Sequence, residues 1–221
     1  MRKIILLITA LASISNLISA EVPIKWVDYK QKILDTTMVD ENAVELTLRN
    51  FGGKEIEDLP GLEKLTKLKK LTLTGMRWYL TSDKFMERIP KIETLIIHAS
   101  PLFENWDRLV KLTEIKVLIF QNLAPTPDRL TFAREIHLKF LAIPWAERFP
   151  ILKGYGHIDV LDLSHGIFKE PLGDHFLHYL GDIDVIYMDD FVYPPGNWAP
   201  PRVKFTGINE FYEKNYPEAI L

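Results

Sequence analysis

Four of the six histidines, His157, His165, His175 and His178, fall inside one acidic stretch. Between residues 155 and 192 the acids are Asp159, Asp162, Glu170, Asp174, Asp182, Asp184, Asp189 and Asp190, against the single base Lys169. Imidazole nitrogen and carboxylate oxygen together form a donor set for divalent transition metals, and histidines among carboxylates titrate near neutral pH. His175-Phe176-Leu177-His178 would place two imidazoles on one helix face, with Asp162 or Asp174 to complete a metal site. The spacing is not HExxH, however, and helix-surface histidines without it read as solvated residues, so no metal and no cofactor is expected.

Nucleophilic chemistry finds no support. The chain has no GxSxG, GxGxxG, P-loop or SxxK motif. Ser164-His165, and Ser100 with His98, come without a strained elbow or helix N-terminus to activate the hydroxyl. Asp189-Asp190 could be catalytic at a strand end of a closed barrel. A metal-assisted hydrolase is therefore tied to a closed α/β fold, and otherwise no enzyme is expected.

The 221 residues are 47% hydrophobic and 26% charged, a globular composition. Absence of cysteine excludes a disulfide framework, a thiolate metal site and a Cys nucleophile. A net charge of −3 argues against nucleic acid as partner, because counterion release needs clustered Lys and Arg. Charge is unevenly spread, with Lys54, Lys64, Lys67, Lys69 and Lys70 opposite in sign to the acidic stretch. A solvated surface accounts for this, and steering of a basic partner is the functional alternative.

The first twenty residues read as a signal peptide. Met1-Arg2-Lys3 is basic, Ile4 to Leu11 is a short apolar run, and Ile18-Ser19-Ala20 ends in a small residue. Cleavage is expected after Ala20, with Ala10-Leu11-Ala12 a competing site. The run is too short and too broken to span a bilayer, so no stable membrane insertion is expected after cleavage. Export without cysteine fits a secreted or periplasmic bacterial protein.

Any chemistry must be positioned by a repeat. One phrase, apolar-x-x-apolar-x-apolar, recurs at 43–48, 68–73, 92–97, 115–120, 133–138, 158–163 and 183–188. Its middle apolar residues are Leu46, Leu71, Leu95, Leu118, Ile136, Leu161 and Ile186, with steps of 25, 24, 23, 18, 25 and 25 residues. Between phrases lie helix-like spacings at Ile56-Leu59-Leu62-Leu65, Phe85-Met86-Ile89, Trp106-Leu109-Leu112 and Leu172-Phe176-Leu177-Leu180. Each unit, a short strand and a returning helix or turn, must stack on its neighbours to bury its apolar residues. Polar residues alternate with apolar ones in Glu45-Leu46-Thr47-Leu48-Arg49 and Leu71-Thr72-Leu73-Thr74, whereas strands of a closed α/β fold are covered on both faces. An α/β repeat in an open solenoid is expected, with about seven parallel strands and short helices or turns on its convex side.

The copy LPGLEKLTKLKKLTLTGM at 59–76 resembles the LxxLxxLKxLxLxxN pattern of the leucine-rich repeat family. The resemblance covers residues 43–191 and implies a solenoid with a concave parallel sheet. Where the family usually carries Asn or Cys, this chain has Phe51, Met76, Ser100, Leu123, Leu141, Gly166 and Phe191, so no asparagine ladder can form.

If the phrase leucines point inward, the alternate residues line a sheet face about 29 Å across seven strands. Its central column reads Thr47, Thr72, Ile96, Ile119, His137, Asp162, Tyr187. One flank reads Glu45, Lys70, Thr94, Val117, Glu135, Val160, Val185, and the other Arg49, Thr74, His98, Gln121, Lys139, Ser164, Asp189. Exposed apolar area usually marks an interaction site. Recognition of a protein or peptide is therefore expected at Ile96, His98, Val117, Ile119, Gln121, His137, Lys139, Asp162, Tyr187 and Asp189. The alternative is that β-branched residues only favour strands and that loops or the C-terminal segment cover them.

Residues 21–42 are expected to cap the first repeat. Residues 192–221 are expected to cap the last, with Val203-Lys204-Phe205 as a terminal strand and Ile208 to Tyr216 as a last short helix. The whole reads as one secreted or periplasmic binding module. The alternatives are the metal-assisted hydrolase on a closed α/β fold, or a structural envelope or adhesion component.

Overall fold

The computed structural model describes residues 20–50, 55–75, 77–78, 83–98, 112–121, 129–144, 151–165, 182–188, 203–204 and 207–217. Residues 1–19 of the expected signal peptide, the helix-like segments at 106–111 and 172–180, and the proline-rich stretch 193–201 lie outside them. Two strands open the fold, β1 (Glu21–Val27) and β2 (Ile33–Asp40), joined as an antiparallel hairpin. Then follow β3 (Glu45–Arg49), β4 (Glu55–Ile56), a single 3-10 turn at Leu62–Lys64, β5 (Lys70–Thr74), β6 (Arg77–Trp78) and helix α1 (Asp83–Arg88). After these come β7 (Thr94–His98), β8 (Val117–Gln121), β9 (Arg129–Leu138), β10 (Phe140–Ala142), β11 (Ile151–Leu163), β12 (Ile183–Met188), β13 (Val203–Lys204) and helix α2 (Ile208–Asn215).

Nine of these strands form one sheet in the linear order β13-β12-β11-β10-β8-β7-β5-β3, with β9 paired to β11 alongside that path. Every pairing within it is parallel. With few helices among the described residues, the result is a solenoid-like sheet built from repeats. The middle phrase residues align in one row across the strands: Leu46, Leu71, Leu95, Leu118, Leu141, Leu161 and Ile186.

That row corrects one position of the repeat. Leu141, not Ile136, stands between Leu118 and Leu161. The fifth copy is therefore Leu138-Lys139-Phe140-Leu141-Ala142-Ile143, which replaces the steps of 18 and 25 residues by steps of 23 and 20. Ile136 sits on β9, opposite Tyr155 of β11. Both segments satisfy the phrase, and Leu141 prevails because residues 140–142 complete the ladder between β8 and β11.

The first phrase positions from Leu68 onward, Leu68, Ile92, Ile115, Leu138, Ile158 and Ile183, are all buried. So are the third positions Leu48, Leu73, Ile97, Phe120, Ile143, Leu163 and Met188. Residues two apart on a strand share a face, so the second and third positions point together to the inner layer. Leu59, Leu62, Leu65, Phe85, Met86 and Ile89, on the returning segments, join the same core. Each of these side chains contributes about 1.5–3 kcal/mol on burial.

The repeats are also tied by backbone. The carbonyl just before each strand accepts two amides from the next repeat: Val44 from Lys69 and Lys70, Lys69 from Glu93 and Thr94, Glu93 from Lys116 and Val117, and Lys116 from Lys139 and Phe140. Side chains at that position alternate in charge over three repeats, with Lys69 3.5 Å and Lys116 2.6 Å from Glu93.

The N-terminal segment is a hairpin that puts Ile24, Trp26 and Val39 into the core. It is fastened to the first turn by Lys25 N–H donating to the Pro60 carbonyl and Val27 N–H to that of Asp58. Asp58 is buried and takes both its oxygens to the Arg88 Nε, at 2.7 and 2.9 Å. Gly61 turns beneath β1 with φ 106°, and a Cβ there would lie 2.2 Å from the Pro23 carbonyl oxygen. Gly207, which starts α2 with φ 90°, has open space at the same position. Alanine at Gly207 should therefore cost only the positive-φ penalty of about 1–2 kcal/mol. Alanine at Gly61 should cost clearly more, because strand β1 must also move, and denaturant unfolding of the two variants checks this ordering.

Candidate functional site

With Leu141 in the row, the central column expected for the binding face changes. Ala142 pairs with Ile119 on one side and Asp162 on the other, taking the place predicted for His137. Phe140, opposite Val117, takes that of Glu135. His137 and Lys139 are thus not members of the columns of that face. Lys139 is an exposed residue between β9 and β10, and His137 lies opposite His157 at the far end of the β9–β11 pair.

The centre of the face is not wet. Ile96, Val117, Ile119 and Tyr187, expected to be exposed, are buried, and so is Asp162. Helix α2 lies over them. Its sequence INEFYEKN, with Tyr216 following, places Ile208, Phe211, Tyr212 and Tyr216 at spacings of three and four residues, so they share one side. That side packs on Ile96, Val117, Ile119, Phe140, Ala142 and Val160, forming a second core on the opposite face of the sheet from the leucines. The Phe140 ring is the hub, stacked on Tyr216 at 5.1 Å, tilted against Phe211 at 4.9 Å and edge to face with Tyr212 at 5.4 Å. Tyr187 meets Phe211 at 6.0 Å. An apolar stripe and an amphipathic helix in one chain associate at high effective concentration, and both lose apolar area to water if they stay apart. The C-terminal segment, with β13 and α2 where the sequence placed them, is therefore what covers the stripe.

One polar group crosses this second core. Asp162 Oδ2 accepts a 2.7 Å hydrogen bond from the Tyr212 hydroxyl, and Oδ1 accepts one of 2.8 Å from the Ser164 amide. Burial pushes the Asp162 carboxyl above its ordinary value, while the two donated bonds pull it down. Burial, and then the nearby Asp162 charge, raise the Tyr212 phenol. Gln121 is a second hydrogen-bonding neighbour of that phenol. Half-buried His98 lies at the same end of the strands, its imidazole held below the usual value by desolvation. Asp189 lies outside the described residues, as do His175, His178 and Asp174.

A different set of chemistry-bearing side chains meets where the β9–β11 pairing ends and the β11–β12 pairing begins. His137 Nε2 lies 2.5 Å from Asp159 Oδ1, and His157 Nε2 lies 3.4 Å from the same oxygen and 3.1 Å from Asp184 Oδ2. The two imidazoles meet edge to face with centroids 5.1 Å apart. The available signal was the His-x-Asp of His157 and Asp159, which puts both on one side of a strand. Its partners come from segments 20 or more residues away in sequence, as the 22- and 27-residue separations of the bonded pairs show.

Beyond α2 the same face of the sheet is polar among the described residues. Glu45, Thr47 and Arg49 on β3 are exposed, and Lys70, Thr74 and Thr94 on the next two strands are half-buried. Lys70 Nζ lies 3.6 Å from Glu45. The large apolar side chains at least half exposed among the described residues are Tyr29, Ile33, Met38 and Val44, all in the N-terminal hairpin or its link to β3. Comparison with known protein families, curated proteins and solved structures finds no match to this chain.

The Asp162–Tyr212 bond makes two testable statements. Tyr212→Phe leaves a buried carboxylate oxygen without its donor and should cost about 1–3 kcal/mol in denaturant unfolding. An acid whose folded pKa is raised supports the fold fully below its ordinary pKa, near 3.8 here, and loses that support as pH rises through the folded value. Asp162→Asn should therefore gain stability relative to the parent chain as pH rises from about 4 to about 8, and unfolding curves across that range measure the difference.

Proposed function

We propose that this chain is a secreted or periplasmic binding module of the leucine-rich-repeat type, without catalytic activity, that holds a protein or peptide partner at the N-terminal end of its sheet. The observation that carries this reading is the distribution of exposed apolar surface. The stripe across the centre of the concave face is taken by α2, whereas Tyr29, Ile33, Met38 and Val44 face solvent at the other end. Contiguity in the chain places Val44 directly before the open polar strip of Glu45, Thr47 and Arg49. Apolar side chains beside a polar, mixed-charge rim supply anchors and orientation, the arrangement found in recognition surfaces.

The test begins with capture of a partner by the exported chain from the envelope or medium of its own producing cell, followed by reconstitution from purified components. Met38→Asp combined with Arg49→Glu should weaken that complex at least about tenfold while the circular dichroism stays unchanged. Tyr187→Ala, under α2, should instead lower stability. A complex indifferent to the Met38/Arg49 change sinks the assignment of surface, and a chain that captures nothing from its own cell is a structural component instead.

A further inference from the structure

Two residues before the middle phrase residue, successive repeats carry Lys69, Glu93, Lys116, Lys139, Asp159 and Asp184. Over the first three, opposite charges alternate and pair. Beyond them the alternation fails: Lys116 and Lys139 are neighbours of like charge, and over the last two repeats the carboxylates of Asp159 and Asp184 are neighbours as well. Like charges on adjacent strands repel. Among the described residues, the ion-pair partners of Asp159 and Asp184 are the imidazoles of His137 and His157. Imidazole carries no charge as a neutral ring, but it brings a lone pair to the place where the negative charge is concentrated.

We propose that His137, His157 and Asp159 form a binding site for one divalent transition-metal ion of the zinc class, with Asp184 beside it. The ligand atoms of these three residues all lie within 4.8 Å of one another. Zinc–nitrogen and zinc–oxygen bonds of about 2.0–2.2 Å place tetrahedral ligand atoms about 3.4 Å apart. His157 Nε2 and Asp159 Oδ1 already stand at 3.4 Å, and the shorter His137 contact can open by rotation of a side chain that is 58% exposed. Two nitrogens and a carboxylate oxygen select against calcium and magnesium, which take oxygen ligands, and suit zinc, nickel or copper. The ligands come from β9 and β11, two long paired strands, so the backbone holds the donors at fixed separation before the ion arrives. Asp184 Oδ2, 3.1 Å from His157 Nε2, can take a fourth position directly or through a water. The ion supplies positive charge beside the two neighbouring carboxylates. This site is separate from the surface at Tyr29–Arg49, and its test is independent of any partner.

The full chain, freed of metal with a chelator, is titrated with Zn2+ by calorimetry and followed by nitrogen-edited NMR of the imidazoles. The expected result is saturable uptake of one ion per chain, with the ring resonances of His137 and His157 shifting while those of His98 and His165 stay in place. His157→Gln and, separately, His137→Gln should each weaken binding at least about tenfold, and Asp184→Asn less. All three substitutions are on exposed or half-exposed side chains, so unchanged circular dichroism is expected, and Asp159→Asn provides a further variant of similar shape. The proposal is overturned by absence of saturable uptake, by equal affinity for Ca2+, by binding unaltered in the His137/His157 double variant, or by shifts at the other histidines.

Discussion

A strand of five residues cannot stand alone, and in this protein each one depends on its neighbours for burial of the same three side chains. The phrase apolar-x-x-apolar-x-apolar sets those side chains on one side, and parallel in-register pairing stacks them into a continuous inner layer from Leu46 to Ile186. The requirement that the layer be unbroken reaches beyond the leucines. It makes the carbonyl before each strand accept two amides from the next, and it brings the preceding side chains into a row. Like charges that happen to follow one another in that row have no freedom to move apart. The histidine–aspartate cluster at β9, β11 and β12 stands in that row, where the carboxylates of Asp159 and Asp184 are neighbours.

The opposite face obeys a different constraint. A sheet covered only by its inner layer leaves β-branched and aromatic side chains in water, and here the chain supplies its own cover. Phe140 and the aromatic side of α2 form a second core, fastened by a single buried acid and a phenol. Asp162 is unfavourable as an isolated buried charge, yet its two oxygens each receive a donor, one from the helix and one from its own turn. The bond has direction, which the apolar contacts lack, and so it sets where along the stripe the helix lies. The helix does not reach the polar end of the sheet, where Glu45, Thr47 and Arg49 are exposed.

Much of this was legible from residues in order. The period of the phrase, the alternation of polar and apolar residues in β3 and β5, the terminal strand at Val203 and the helix from Ile208 all follow from local patterns, because a strand or helix turns residue spacing directly into facing. The same local logic failed at two places. Residues 133–138 and 138–143 both satisfy the phrase, and no spacing rule within either segment distinguishes Ile136 from Leu141. Nor could the exposure of Ile96, Val117, Ile119 and Tyr187 be read from their strands, since those strands look alike whether the far face meets water or a helix.

What the sequence by itself determined, then, is the unit: which side chains share a face, and that the units must stack. Only the tertiary structure decided which copy completes the ladder, which end of the face opposite the leucines is covered, and that His137, His157, Asp159 and Asp184 meet. The physical reason is that facing is set by backbone geometry over a few residues. Covering and clustering are set by segments distant in the chain, whose association depends on the area and charge that all the other segments leave unsatisfied.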